Sequence, residues 1–145
     1  QRRVKAGQVL TRDVIYVAAR HGVRPLGLAF SVGMRLPACR AASGKAMLAF
    51  TAAEEVKRLF PEPRLPAFMD RAGLQRSAWL RELSLVRERG FSVDDEGVRE
   101  GVTCFGAPVF DAAGLVVAGV GVCMQKAMLN PQTQAQQRDT VMRVA

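Results

Sequence analysis

Side chains able to do chemistry gather in a few places along the chain. Asp94-Asp95-Glu96 puts three carboxylates side by side. Such a set works as an acid or base only where burial or a partner shifts one member, and is otherwise a solvated acidic turn. Cys39, Cys104 and Cys123 form no C-x-x-C pair and leave an odd thiol over, which excludes a secreted disulfide scaffold and predicts reduced thiols. No Lys or His is placed in sequence to activate Cys104 or Cys123, yet a thiol-based redox sensor or enzyme using these two stays open as an alternative. Ser43-Gly44-Lys45 stands where small residues give way to helix formers, and the amides of a helix start attract carboxylate or phosphate. The flanking glycines of a phosphate-binding loop are absent, so a nucleotide is not expected. His21 sits in Arg-His-Gly between two strand-like runs and reads as a turn residue; no metal site and no cofactor is predicted.

The elements that must position these residues alternate between strand and helix signals. Val9 to Ala19 and Leu26 to Phe30 read as an antiparallel pair turning at Arg20-His21-Gly22, and Met34 to Pro37 reads as extended. A helix follows from about Ala41 to Phe50, with Ser43 or a neighbour as its cap. Thr51-Ala52-Ala53-Glu54 matches a capping box for a short helix that Pro61 and Pro63 end. Trp79, Leu80, Leu83 and Val86 recur at helical spacing from Gln75 to Arg89, where Gly90 stops the helix and Trp79 anchors it in the core.

Phe91-Ser92-Val93 then leads into the acidic residues, and Glu100 to Phe110 and Leu115 to Cys123 form a hairpin around Asp111-Ala112-Ala113-Gly114. Counting from a Phe110–Leu115 pair places Cys104 opposite Gly121 and Val102 opposite Cys123, with thiols and glycines on one face. A face with so little side chain predicts a pocket floor. Pro108 needs a non-bonded ladder position or a bulge. Asn130-Pro131 starts a last helix whose Val141, Met142 and Val144 are expected on the sheet, with its glutamines wet.

The bulk properties bound the class. At 145 residues the chain is expected to be one domain, residues 1–145, and its 49% apolar content is that of a globular protein. The longest apolar run, Gly114 to Met124, is too short for a transmembrane helix, so a soluble, cytoplasmic protein without a membrane partner is expected. The chain opens on Gln1 without the apolar core of a signal peptide, and reads as a fragment of a longer protein. Seventeen arginines contribute to a net charge of +8 but are spread along the chain, a pattern of a solvated basic surface and not of a nucleic-acid face.

Four stretches together carry a family resemblance: Arg35-Leu36-Pro37, Ala42 to Ala46, Arg89 to Glu96, and Glu100 to Asp111. In this order they resemble the effector-binding domain of IclR-type bacterial transcription regulators. The resemblance implies an α/β (α+β) GAF-like domain, an antiparallel sheet flanked by helices. It would bind a small organic acid and control an attached winged helix-turn-helix that is absent from these residues. The domain would not be an enzyme, would reach DNA only through that missing part, and would form a homo-oligomer, dimer or tetramer.

The resemblance assigns an effector pocket to Ala42, Ser43 and Gly44 at the helix start, Asp94 in the acidic loop, Val102 and Cys104 on one hairpin strand, and Gly121 and Cys123 on the other, with Leu28 and Leu36 as apolar wall. Relatives that bind small oxo-acids carry hydroxyls where this chain has Gly121 and Cys123, so the expected effector is a larger or more apolar acid, such as an aromatic carboxylate. A dimerisation module with a vestigial pocket is the other alternative.

Overall fold

The computed structural model describes residues 2–6, 12–20, 31–68 and 72–145. Six strands form a single antiparallel sheet: β1 (Arg2–Ala6), β2 (Asp13–Arg20), β3 (Arg35–Pro37), β4 (Ser92–Asp95), β5 (Val102–Phe110) and β6 (Val116–Gln125), in the order β3-β2-β1-β6-β5-β4. Four helices flank it: α1 (Ala42–Ala49), α2 (Ala53–Leu59), α3 (Arg76–Arg89) and α4 (Pro131–Val144). The architecture is the mixed α and β one expected. β1 carries no sequence signal used above; the predicted strand Leu26–Phe30 lies outside the described residues, and among the described residues β2 pairs β1 and β3.

The two-residue period of β5 sorts its side chains into two cores. Val102 and Cys104 belong to the cluster under α1, whereas Phe105 and Ala107 join Val120, Val122 and Val141 under α4. Helix α3 stacks outside α1. Its buried face is Trp79, Leu83 and Val86, and the Trp79 indole donates to the Cys39 carbonyl at 3.1 Å. Gly90 ends α3 at φ +86°, a left-handed conformation that a side chain would strain.

Helix α1 rests unusually close to the sheet. A Cβ at Gly106 would collide with the backbone of Ala42, and one at Gly119 would reach the carbonyl of Ser43. Ser92 Oγ, fully buried, donates to the Ala42 carbonyl and fastens α1 to β4.

Several local expectations need correction. The hairpin pairs Phe110 with Val116 through a bulge, so Cys104 faces Cys123, and Val102 faces Gln125. The slip is two residues, which preserves the predicted face while changing every partner. Cys104 and Cys123 are joined as a disulfide with Cα atoms 4.0 Å apart, against the expectation of reduced thiols; Cys39 is free and buried. So short a separation marks a non-hydrogen-bonded pair, and alternation along the ladder gives Pro108, opposite Gly119, the same kind of position, where no amide is needed.

The cap of α1 is Ala41, placing Ser43 inside the first turn. Thr51 makes no capping box: Ala52 precedes α2, and Thr51 Oγ1 donates back to the Met47 carbonyl at 2.8 Å. In α4, Asn130 and Thr133 form a reciprocal cap as expected of an Asn-Pro start. Only Val141 of the three expected apolar contacts is buried; Met142 and Val144 are exposed and Gln137 is buried, because the helix presents a narrower face to the sheet than its composition suggests.

Candidate effector site

The start of α1 is a set of backbone donors without a side-chain cap. The first intrahelical bond runs from Lys45 N to Ala41 O at 2.8 Å, so the amides of Ala42, Ser43 and Gly44 precede it, and the Ala41 methyl has nothing to offer them. The Lys45 amide, counted among the anion donors on sequence grounds, is occupied by this bond.

Strand β4 brings the acidic residues to this helix end and separates them. Asp94 faces Cys104 across the ladder and is 3% exposed; Asp95 and Glu96 lie outside and meet the Lys126 ammonium at 3.0 and 3.2 Å. The Asp94 carboxylate accepts from the Gly97 amide at 2.8 Å. Burial pushes its pKa up to about 6, against the opposing pull of Lys45 and of the Gly97 and Val98 amides. Asp95 is held below the usual carboxylate range by Lys126, and Glu96 by the Gly101 amide and then Lys126. Strand alternation puts Asp94 inside and Asp95 outside, and Glu96, beyond the end of β4 at φ +60°, is turned away from the Asp94 face by the backbone.

Lys45 itself is buried. Its Nζ donates to Glu82 Oε1 at 2.7 Å and to the Val93 carbonyl, tying α1 to α3 and to the residue before Asp94. Arg40, also buried, donates to the carbonyls of Ala72 at 2.6 Å and of Pro66 and Gly97 at 3.4 Å, so the Asp94–Gly97 turn is linked to the proline-rich loop before α3.

Between these elements lies a cavity lined by Tyr16, Ala41, Ala42, Ser43, Asp94, Val98, Cys104, Gly121 and Cys123, with a volume near 10 Å³. Six of the ten predicted pocket residues therefore meet around one space. Gly44 instead packs against the Ala38 backbone, and Leu36 and Val102 are buried in the adjoining core. Leu28 lies outside the described residues. Sequence reasoning missed Tyr16, Ala41 and Val98; the two-residue spacing of Val14 and Tyr16 on β2 was the available signal for the first. A larger groove of about 170 Å³ runs between α2 and α3 over Leu48, Val56, Leu80 and Leu83. It lacks converging buried polar groups, so the smaller cavity is the better candidate for a specific ligand. Among the described residues no group of His, Cys, Asp and Glu could hold a metal ion, and no helix is long and apolar enough to cross a membrane.

The structure is an α+β domain with a small, partly polar cavity between a helix start and an antiparallel hairpin. The family model described as "Bacterial transcriptional regulator IclR C-terminal" matches residues 3–145, and the chain belongs to this family, as an effector-binding domain. It is 31% identical over 110 residues to the HTH-type transcriptional regulator KdgR of Escherichia coli (strain K12), covering 76% of this chain and 42% of KdgR. Its fold superposes on the Agobacterium tumefaciens repressor BlcR with a TM-score of 0.87 at 28% identity, covering 99% of this chain and 56% of that one. It also resembles the inducer-binding domain of Acinetobacter PobR, in a complex of a double mutant with 3-hydroxybenzoic acid, with a TM-score of 0.80 at 23% identity, covering 99% and 83%. The chain thus spans less than half the length of KdgR. The relatives are named as transcriptional regulators and repressors, not enzymes.

Proposed function

We propose that the cavity between α1 and the β4–β5–β6 face is the effector site of a transcription regulator, and that it takes a small organic acid. The effector's carboxylate lies on the amides of Ala42, Ser43 and Gly44, and a hydroxyl or other donor meets Asp94. The observation that carries this reading is the meeting of an uncapped helix start with one buried carboxylate across a common space. A cavity of about 10 Å³ holds roughly one water, whereas a cavity that accommodates benzene measures on the order of 150 Å³. Binding therefore displaces a wall, and that displacement is what an attached DNA-binding domain outside these residues would read. The hydroxyl-poor strand at Gly121 and Cys123 favours an aromatic or otherwise apolar acid over glyoxylate or pyruvate. Self-association is a proposal on the same footing, which sedimentation velocity tests.

Thermal-shift and calorimetric titrations with 3-hydroxybenzoate, benzoate, glyoxylate and pyruvate test the site. An aromatic acid is expected to raise the melting temperature and to lose this effect in Ser43→Trp and Cys104→Trp. Undiminished binding in both folded variants would remove the site from this cavity. Glyoxylate or pyruvate binding as tightly as the aromatic acids would overturn the ligand class alone.

A further inference from the structure

Two of the three cysteines meet in the floor of this same cavity. Cys104 and Cys123 are register partners on β5 and β6 with Cα atoms 4.0 Å apart, both line the cavity beside Ser43 and Asp94, and they are joined as a disulfide. Cys39 stays apart. It is buried, its thiol is pushed up by burial, and its backbone carbonyl is engaged by Trp79. The third cysteine is therefore a structural side chain, and the reactive sulfur chemistry of the described residues is confined to the pair.

We propose that Cys104 and Cys123 form a reversible dithiol–disulfide couple, oxidised by peroxide and reduced by a dithiol, whose state sets the affinity of the cavity for its ligand. This rests on the reading of the cavity as an effector site. The oxidant is named by its chemistry: a peroxide takes two electrons from the pair and leaves as water, and the external dithiol reaches the bridge by the same displacement of the cavity wall that admits the ligand. The balance is two thiols and one peroxide to one disulfide and two waters. The first sulfur gains oxygen as a sulfenic acid while the O–O bond breaks and one water leaves. The second sulfur then displaces that oxygen, forming the S–S bond and releasing the second water. In the return direction an external dithiol takes up the bridge by exchange and leaves as its own cyclic disulfide.

The chemistry of the floor differs between the two states. Two thiols present two S–H donors beside Asp94 and two rotatable side chains; the bridge presents neither donor and locks both rotamers. An acid that needs hydrogen bonds from this floor is held better by the reduced form. By linkage, an occupied cavity also resists oxidation.

The test uses the 145-residue chain, with thiols counted by alkylation under denaturing conditions and intact-mass measurement. After treatment of the folded protein with dithiothreitol three thiols are expected, and after subsequent peroxide one. Cys123→Ser should keep two thiols under both treatments, and Cys123→Thr serves the same purpose should the serine variant fold poorly. One thiol after dithiothreitol would mean a permanent structural bridge, and three after peroxide would mean no couple; either result overturns the proposal. In calorimetry, 3-hydroxybenzoate is expected to bind the oxidised protein about tenfold more weakly than the reduced, the loss of roughly one or two hydrogen bonds. Equal affinity would overturn the gating. Binding to neither form counts against the effector reading for this acid, and the thiol count still decides the couple.

Discussion

The backbone of Gly106 lies directly beneath the carbonyl of Ala42, so close that a methyl group at position 106 would overlap it. This contact sets how near α1 approaches the sheet, and with it the depth of the cavity between them. Gly106→Ala must lift the helix start or shift β5, an overpacking cost of about 1–3 kcal/mol. Urea unfolding should show that loss. The melting temperature should fall by roughly 3–10 °C, while an unchanged midpoint would mean that α1 slides without resistance.

Asp94 predicts a particular pH dependence. Its folded-state pKa of about 6 lies above the ordinary 3.8 because burial disfavours the charged form. The stability it contributes is fully present below about pH 3.8 and is lost as pH rises through about 6. The whole span corresponds to about 3 kcal/mol. Asp94→Asn keeps an acceptor for Gly97 without a charge, so relative to the parent it should gain about 2 kcal/mol between pH 4.5 and 7.5. Equal effects of the substitution at both pH values would show that the parent carboxyl titrates normally.

Lys45 joins three elements through one ammonium group. In Lys45→Met the half-buried Val93 carbonyl loses its donor, while Glu82, whose side chain is 34% exposed, can turn to water. The expected cost is about 1–3 kcal/mol, smaller than for a fully buried pair. Loss of the cation also moves the Asp94 pKa further up, since Lys45 is the largest influence holding it down. A carboxyl-carbon NMR titration of Asp94 in the variant should have its midpoint above the parent's.

The cap of α4 is separable from the cavity. Asn130 accepts from the Thr133 amide at 2.9 Å and Thr133 Oγ1 accepts from the Asn130 amide at 2.8 Å. Asn130→Ala should cost about 1 kcal/mol. Hydrogen exchange should quicken in the first turn of α4 and stay as it is in α1; faster exchange in α1 would show that the two helices are coupled through the sheet.

Much of the scaffold is legible without coordinates because it depends on near neighbours in the chain. Gly90 needs only its own freedom to adopt a positive φ to end α3, and Asn130-Pro131 carries both the acceptor and the preset dihedral that start α4. Where a signal depends on competition between partners it misleads. Thr51 has a Glu three residues on, as a capping box requires, but α2 starts one residue later with Ala52 at its cap, and the Thr51 hydroxyl donates to the Met47 carbonyl at the end of α1. The β5–β6 register failed for a related reason: a bulge beside Phe110 is set by packing across the sheet and leaves no mark in residue counts.

The sequence by itself determined the class of fold, the four helices, the strands other than β1 among the described residues, and the face of the hairpin that carries small residues. Periodicity, caps and turns act over a few positions and are written in residue types. Only the tertiary structure decided that Asp94 is buried while Asp95 and Glu96 are wet, that Cys104 meets Cys123 and not Gly121, and that Gly106 and Gly119 let α1 close the space to near 10 Å³. These depend on contacts between residues far apart in the chain, 64 positions for Gly106 and Ala42 and 76 for Gly119 and Ser43, where desolvation and steric exclusion act through space and not along the chain.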